Sequence, residues 1–277
     1  LQYYSLHEGG TDMRFARFAI AAALAVAILS PASAFTVEPV PEWNLIFDRH
    51  RVTGVALVYD DAADRYYSSA PMRIYDRFLP ASTFKILHSL IALETGVVSD
   101  ETHVIPWDRT ERDVAAWNRD MNMQEAIACS AVWFYQELAR RIGRERMEDW
   151  INRSNYGNGE TGDEIDSFWL DGKLRISPLE QLNFMRRFKT GNLRFSKRNM
   201  DIVRNIIVRG KNERGLLRGK TGTVTRRPPH MGWDVGYVEN TGRTLFFVTV
   251  TEHPDPKVIA SAREAVTRSI LYELDAY

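Results

Sequence analysis

The chain has 277 residues, enough for one large domain or two small ones, and its 36 Lys and Arg balance 36 Asp and Glu. Zero net charge argues against a nucleic-acid groove, which needs a basic excess. With 44% hydrophobic and 26% charged residues the chain can bury a real core and is not disordered, and its single cysteine, Cys129, excludes an internal disulfide and a cysteine-rich zinc site.

The first element in chain order is an address. Met13, Arg14 and Arg17 precede an apolar run over residues 18–29, then Ser30, Pro31 and Ala32-Ser33-Ala34. A basic start, a short apolar stretch and an A-x-A end make a secretory signal peptide, with cleavage near Ala34. The run is shorter than the ~20 residues that span a membrane. No cysteine follows it to carry a lipid, and no later segment reads as a span. Residues 1–12 read as lying upstream of the true start. The expectation is an extension and leader over residues 1–34, then a single domain over residues 35–277, exported to the periplasm or secreted, with no membrane anchor.

Residues 55–59 and 65–68 read as a hairpin turning at 60–64. A helix is expected over 80–94, opened by Pro80 and closed by Gly96. Residues 122–142 read as one helical stretch ending at Gly143. Ser177-Pro178-Leu179-Glu180 is a capping box with proline at the first helical position, and that helix ends at Gly191. A helix over 200–208 follows, then strands over 216–225, 232–239 and 244–252, the last two a hairpin around Asn240-Thr241-Gly242. A final helix covers 258–274. This order predicts an α+β fold: a mainly antiparallel sheet completed by both ends of the chain, with an all-helical insert over about residues 98–215.

The chemistry concentrates in four short motifs. Ser82-Thr83-Phe84-Lys85 opens the helix at Pro80, and a spacing of three puts Ser82 and Lys85 on one face. A serine hydroxyl needs a base within reach, and a lysine serves only as the neutral amine, which burial favours. S-x-x-K alone arises by chance about once in a chain this long. Ser130-Ala131-Val132 follows on the second helical stretch, then Tyr156-Gly157-Asn158 and Lys220-Thr221-Gly222. The last two each have a chance expectation of only about a few hundredths. Their order behind an export signal makes coincidence a minor explanation. No two of the six histidines stand at i,i+4, so no metal site is signalled.

With these motifs, and with Phe168-Trp169-Leu170-Asp171-Gly172 and Gly232-Trp233-Asp234-Val235-Gly236, the sequence resembles a class D (oxacillinase-type) serine β-lactamase over essentially the whole mature chain. S-x-x-K with K-T-G belongs to β-lactamases and penicillin-binding proteins alike. Class A enzymes carry Ser-Asp-Asn where this chain has Ser130-Ala131-Val132, and the Ser-x-Val and Phe-Trp-Leu pieces point to class D. The resemblance implies the transpeptidase-like fold and hydrolysis of β-lactam antibiotics through an acyl-enzyme. It implies no bound cofactor, although carbon dioxide or bicarbonate is needed to carboxylate Lys85.

The resemblance also assigns roles. Ser82 is the nucleophile, and Lys85, carboxylated on its amine, is the base for acylation and deacylation. Val132 gives that base an apolar wall and the Trp169 indole N–H donates to it, core packing being the other role open to Trp169. Ser130 relays a proton to the leaving nitrogen, assisted by Lys220. The backbone N–H groups of Ser82 and Thr223 form the oxyanion hole on the strand that carries Gly222. Thr221 and Arg263 hold the substrate carboxylate, with Arg268 the alternative arginine. Tyr156 and Asn158 read as architecture, Cys129 as a small buried residue pointing away, and Arg140, Arg141, Arg226 and Arg227 as solvated charge. The loop at residues 226–230 also stands where it can shape the substrate mouth. A penicillin-sensing receptor domain and a D,D-peptidase share the fold and the serine; the missing span argues against the first, Trp169 and Val132 against the second. Partners are small-molecule β-lactams, not nucleic acid, and composition permits a monomer or a homodimer alike.

Overall fold

The expectation of a sheet completed by both chain ends meets a computed structural model that describes residues 36–226 and 228–277. The leader and its cleavage point at Ala34, and Arg227, lie outside the described residues. Thr36–Tyr277 forms one unit. β1 (Val37–Pro39), α1 (Asn44–Arg49), β2 (Thr53–Asp60) and β3 (Arg65–Ser68) come first. A helical region follows: α2 (Lys85–Glu94), α3 (Met123–Ala128), α4 (Val132–Ile142), α5 (Arg144–Arg153), α6 (Pro178–Thr190) and α7 (Lys197–Ile206). The chain closes with β4 (Val208–Lys211), β5 (Leu216–Val224), β6 (His230–Asn240), β7 (Arg243–His253) and α8 (Pro256–Glu273). The strands form one seven-stranded sheet in the order β1-β3-β2-β7-β6-β5-β4. The pairing is antiparallel throughout except between β1 and β3.

Apolar cores on both faces of the sheet explain its central strands. The first nine residues of β6 and eight consecutive residues of β7 are buried, as expected where both sides are covered. On one face Trp233, Val235 and Val248 pack into the core of the helical region. On the other, Leu217, Val238 and Phe247 pack with Ile46 and Phe47 of α1 and Ile259, Val266 and Ile270 of α8. Strand alternation therefore turns alternate residues of β5 toward the helical region and toward α8.

Local signals placed several boundaries well. α6 has the expected capping box: Ser177 Oγ accepts from the Glu180 N–H at 3.2 Å, and the Glu180 carboxylate accepts from the Ser177 N–H at 2.8 Å. Gly191 ends that helix in the left-handed conformation at φ 77°.

Three expectations need correction. The single helix over 122–142 is two helices, broken at residues 129–131, with Ser130 at φ 58°. The break frees the Cys129 carbonyl, which accepts from the Trp117 indole N–H at 3.0 Å. The helix expected over 200–208 starts at Lys197, because Ser196 Oγ accepts from the Asn199 N–H, and it ends at Ile206. The helical insert accordingly closes before residue 215, since β4 has already rejoined the sheet at Val208. β1, α1, α5 and β4 correspond to no element expected from the sequence.

Candidate active site

Ser82 lies in a 3-10 turn, Ala81–Phe84, and Lys85 begins α2 directly after it. Four contacts hold this turn. The Ala81 N–H donates to the Trp169 carbonyl at 2.9 Å. The Trp233 indole N–H donates to the Leu79 carbonyl at 2.8 Å. Thr83 Oγ1 donates to the Pro80 carbonyl at 2.7 Å and accepts from Gln181 Nε2 at 2.6 Å. Ala81 takes φ 47°, a conformation that costs a non-glycine residue ~1–2 kcal/mol and is sustained by these surroundings.

Within this frame Lys85 Nζ donates to Ser82 Oγ at 2.8 Å, and Lys85 is fully buried. Burial pushes its amine well below the ordinary lysine range, the nearby Lys220 cation adds to the shift, and Cys129 opposes it. Burial therefore favours the neutral form of the Lys85 amine. Phe84, Phe168 and Trp169 enclose the turn with ring contacts, and the Tyr135 ring, one turn along α4 from the half-buried Val132, lies 5.2 Å from Lys85 Nζ. The Trp169 indole N–H, although fully buried, has no hydrogen-bond partner among the described residues. A buried donor left without an acceptor is unfavourable.

β5 runs against the same turn. A Cβ placed on Gly222 would stand 3.0 Å from the Pro80 carbonyl oxygen and 3.2 Å from the Ser82 nitrogen, so glycine permits the close approach of the two backbones. That puts Gly222 beside the Ser82 N–H, with Thr223 the next residue along β5. Thr221 and Thr223 pair with Asp234 and Gly232, on the α8 side of the sheet. There Arg263 donates to Thr223 Oγ1. Arg268 instead lies 5.3 Å from the Tyr277 ring, which separates the two candidate arginines.

Lys220 is 7% exposed, and burial, with Arg263 and Arg209, pushes its amine down to about 7, while Asp234 and Glu264 pull the other way. A cavity of about 150 Å³ brings Ile127 and Ala128, at the end of α3 just before Ser130, to Lys220, Thr221, Arg209 and Glu264. Ser130 itself is half-buried in the α3–α4 break. Tyr156 is buried beneath Phe84 and against Phe184. Asn158 ties its turn to Lys173 and Arg175, accepting from the Arg175 N–H at 2.9 Å and donating to the Lys173 carbonyl at 3.0 Å.

Some residues were missed or misread. Arg209 of β4 pairs with the buried Asp234 of β6 and, at 2.7 Å, with Glu264 of α8, a charge network directly behind Thr221. A carboxylate inside an otherwise apolar central strand was the available sign. His88, one turn beyond Lys85, is fully buried with neither ring nitrogen bonded among the described residues. Cys129 is half-buried rather than buried; it packs against the core of the helical region, with Sγ 4.0 Å from the Ala126 carbonyl. Arg140 and Arg141 are exposed and ion-paired with Glu137, and Arg226 pairs with Asp171 beside a cavity of about 360 Å³ that Leu79 and Val224 also line.

Residues 52–274 match the penicillin binding protein transpeptidase domain. The chain is 39% identical over 241 residues to the β-lactamase OXA-48 of Klebsiella pneumoniae, covering 87% of this chain and 91% of that protein. It is 31% identical over 237 residues to the regulatory protein BlaR1 of Bacillus licheniformis, covering 85% of this chain and 39% of that one. Among solved structures, the class D β-lactamase YbXI from Nostoc superposes with a TM-score of 0.82 at 40% identity, covering 85% of this chain and 99% of that one.

Proposed function

The chain belongs to the class D β-lactamases, and from that membership we propose that it hydrolyses β-lactams through an acyl-enzyme on Ser82, with Lys85 carboxylated on Nζ as the general base. The observation that carries this reading is the 2.8 Å hydrogen bond from a fully buried Lys85 to Ser82 Oγ, set beside an indole N–H that lacks an acceptor. Carboxylation needs an amine with a free lone pair, which burial of Lys85 favours. The lone pair bonds to the carbon of carbon dioxide, one C=O pair moves to oxygen, and an N–H proton leaves to solvent. The product is an anion, so it needs donors, and the Trp169 N–H is available as one.

Ser82 gives its proton to carboxylated Lys85 and attacks the lactam carbonyl. The Ser82 and Thr223 N–H groups stabilise the oxyanion; one such donor contributes ~3 kcal/mol of transition-state stabilisation. The lactam C–N bond then breaks, its electron pair leaves with nitrogen, and the proton taken from Ser82 passes from the lysine group through Ser130 to that nitrogen, assisted by the positive potential of Lys220, which restores the base. Water, deprotonated by the same lysine group, cleaves the ester and frees Ser82. Arg263 and Thr221 hold the substrate carboxylate, a role suited to a guanidinium fork. Val132 keeps the base in apolar surroundings.

The similarity to a regulatory protein keeps a penicillin sensor as the competing reading. No helix among the described residues is long and apolar enough to cross a membrane. We further propose export to the periplasm or medium, with the leader removed near Ala34. A chromogenic cephalosporin separates the readings. Many turnovers per molecule are expected; release of a single equivalent with a stable adduct would instead establish a sensor or a D,D-peptidase.

A further inference from the structure

His88 stands out because nothing in the mechanism above uses it. It lies one helical turn beyond Lys85 on α2, so both side chains emerge on the same face. It is fully buried, and neither Nδ1 nor Nε2 has a hydrogen-bond partner among the described residues. Its ring centroid lies 5.1 Å from that of Trp169, 5.2 Å from that of Tyr135 and 5.4 Å from that of Phe84, the residues that enclose Lys85. Burial, followed by the charge of Lys85, pushes the imidazole down to about 3. At neutral pH the ring therefore carries one N–H and one bare nitrogen. The Tyr135 hydroxyl is already engaged with Ser89 Oγ at 2.8 Å. Among the described residues, two donors without a partner thus stand in edge-to-face contact on the Lys85 side of the core, the Trp169 indole and the His88 imidazole.

We propose that His88 is a positioning residue whose ring N–H, together with the Trp169 N–H, donates to the carboxylate formed on Lys85 and so holds carbon dioxide on the lysine. This rests on the carboxylated-lysine reading above. Two orphaned donors around one buried amine match an anion with two oxygens. A bare amine accepts at most one hydrogen bond and would leave a donor unmatched. An imidazole N–H buried among apolar rings sits in low-dielectric surroundings, so its bond to an anion is stronger than at the surface.

The test uses the full protein with ¹³C-labelled bicarbonate at fixed pH. The readouts are the carbamate carbon resonance and the bicarbonate concentration that half-saturates it. His88→Leu removes the donor and keeps bulk; His88→Asn keeps a donor. The expected result is a half-saturating concentration at least about tenfold higher in His88→Leu and within about threefold of the parent in His88→Asn. A folded His88→Leu with the parent's bicarbonate affinity would overturn the role of His88 and leave the carboxylated lysine intact. No carbamate carbon in the parent at any bicarbonate concentration would overturn the underlying reading, and this inference with it. If neither variant folds, the imidazole of the ¹⁵N-labelled parent decides. Its N–H proton should move downfield as the carbamate carbon appears; a resonance that stays put would refute the contact.

Discussion

Removing the Arg209 guanidinium puts the electrostatics behind the substrate-binding strand under direct test. Arg209 pairs with Asp234, which is 1% exposed, and with Glu264, whose side chain is 39% exposed. In Arg209→Met, Glu264 can turn to water, and losing its surface-type pair costs about 0–1 kcal/mol. Asp234 cannot. Removing one partner of a buried ion pair costs about 3–5 kcal/mol, because a charge is left without compensation. The escape for Asp234 is to take a proton. Burial already pushes its carboxyl above the ordinary range and Arg209 holds it down, so the variant raises it further. A folded-state pKa above the unfolded value means stability that is intact at low pH and lost as pH rises through the folded pKa, at ~1.4 kcal/mol per unit. Urea denaturation at pH 5 and pH 8 reads this directly. Arg209→Met should fall about 3–5 kcal/mol below the parent at pH 8 and come closer to it at pH 5. Adding Asp234→Asn should recover most of the loss at pH 8. A variant within about 1 kcal/mol of the parent at pH 8, or an equal deficit at both pH values, would refute the reasoning.

The remaining predictions concern the reaction. Gly222→Val drives a side chain into the Pro80 carbonyl and the Ser82 nitrogen, and a misplacement of ~1 Å should cost ~10²-fold in kcat, read by steady-state kinetics; parental kcat would mean that β5 does not abut the nucleophile. Arg263→Ala should raise KM for carboxylate-bearing lactams by about 10–100-fold, the loss of one charged hydrogen bond, while an unchanged KM would pass the carboxylate to another group. Lys85→Ala should bind substrate yet lose ~10²–10⁴-fold in kcat, with acylation and deacylation both slowed in single-turnover mass spectrometry. Near-parental turnover in that variant would remove the lysine from the mechanism.

Much of the site could be read from short segments because its chemistry is local. Ser82 and Lys85 meet through one helical turn, and Lys220-Thr221-Gly222 is a contiguous stretch of one strand. α6 announced itself through Ser177, Glu180 and Gly191, whose backbone roles depend on nearest neighbours. The break at Ser130 was not legible. No glycine or proline marks it, and the bond that takes up the freed carbonyl at 129 comes from an indole at residue 117. Arg209, Asp234 and Glu264 come from two strands and a helix, so only the sheet register brings them together. His88 carried no signal in the sequence; that neither ring nitrogen is bonded among the described residues is a property of the packed core. β1 was invisible because three residues paired with β3 carry no periodicity.

The central claim, that a lysine carrying carbon dioxide is the base, is tested most directly by the bicarbonate dependence of turnover. Enzyme and buffers are degassed, and hydrolysis of a chromogenic cephalosporin is followed from pH 5 to 8 with and without added bicarbonate. Acid protonates the amine and removes the lone pair that binds carbon dioxide, so turnover should fall toward pH 5, and bicarbonate should restore it. A rate indifferent to bicarbonate across that whole range would contradict the account.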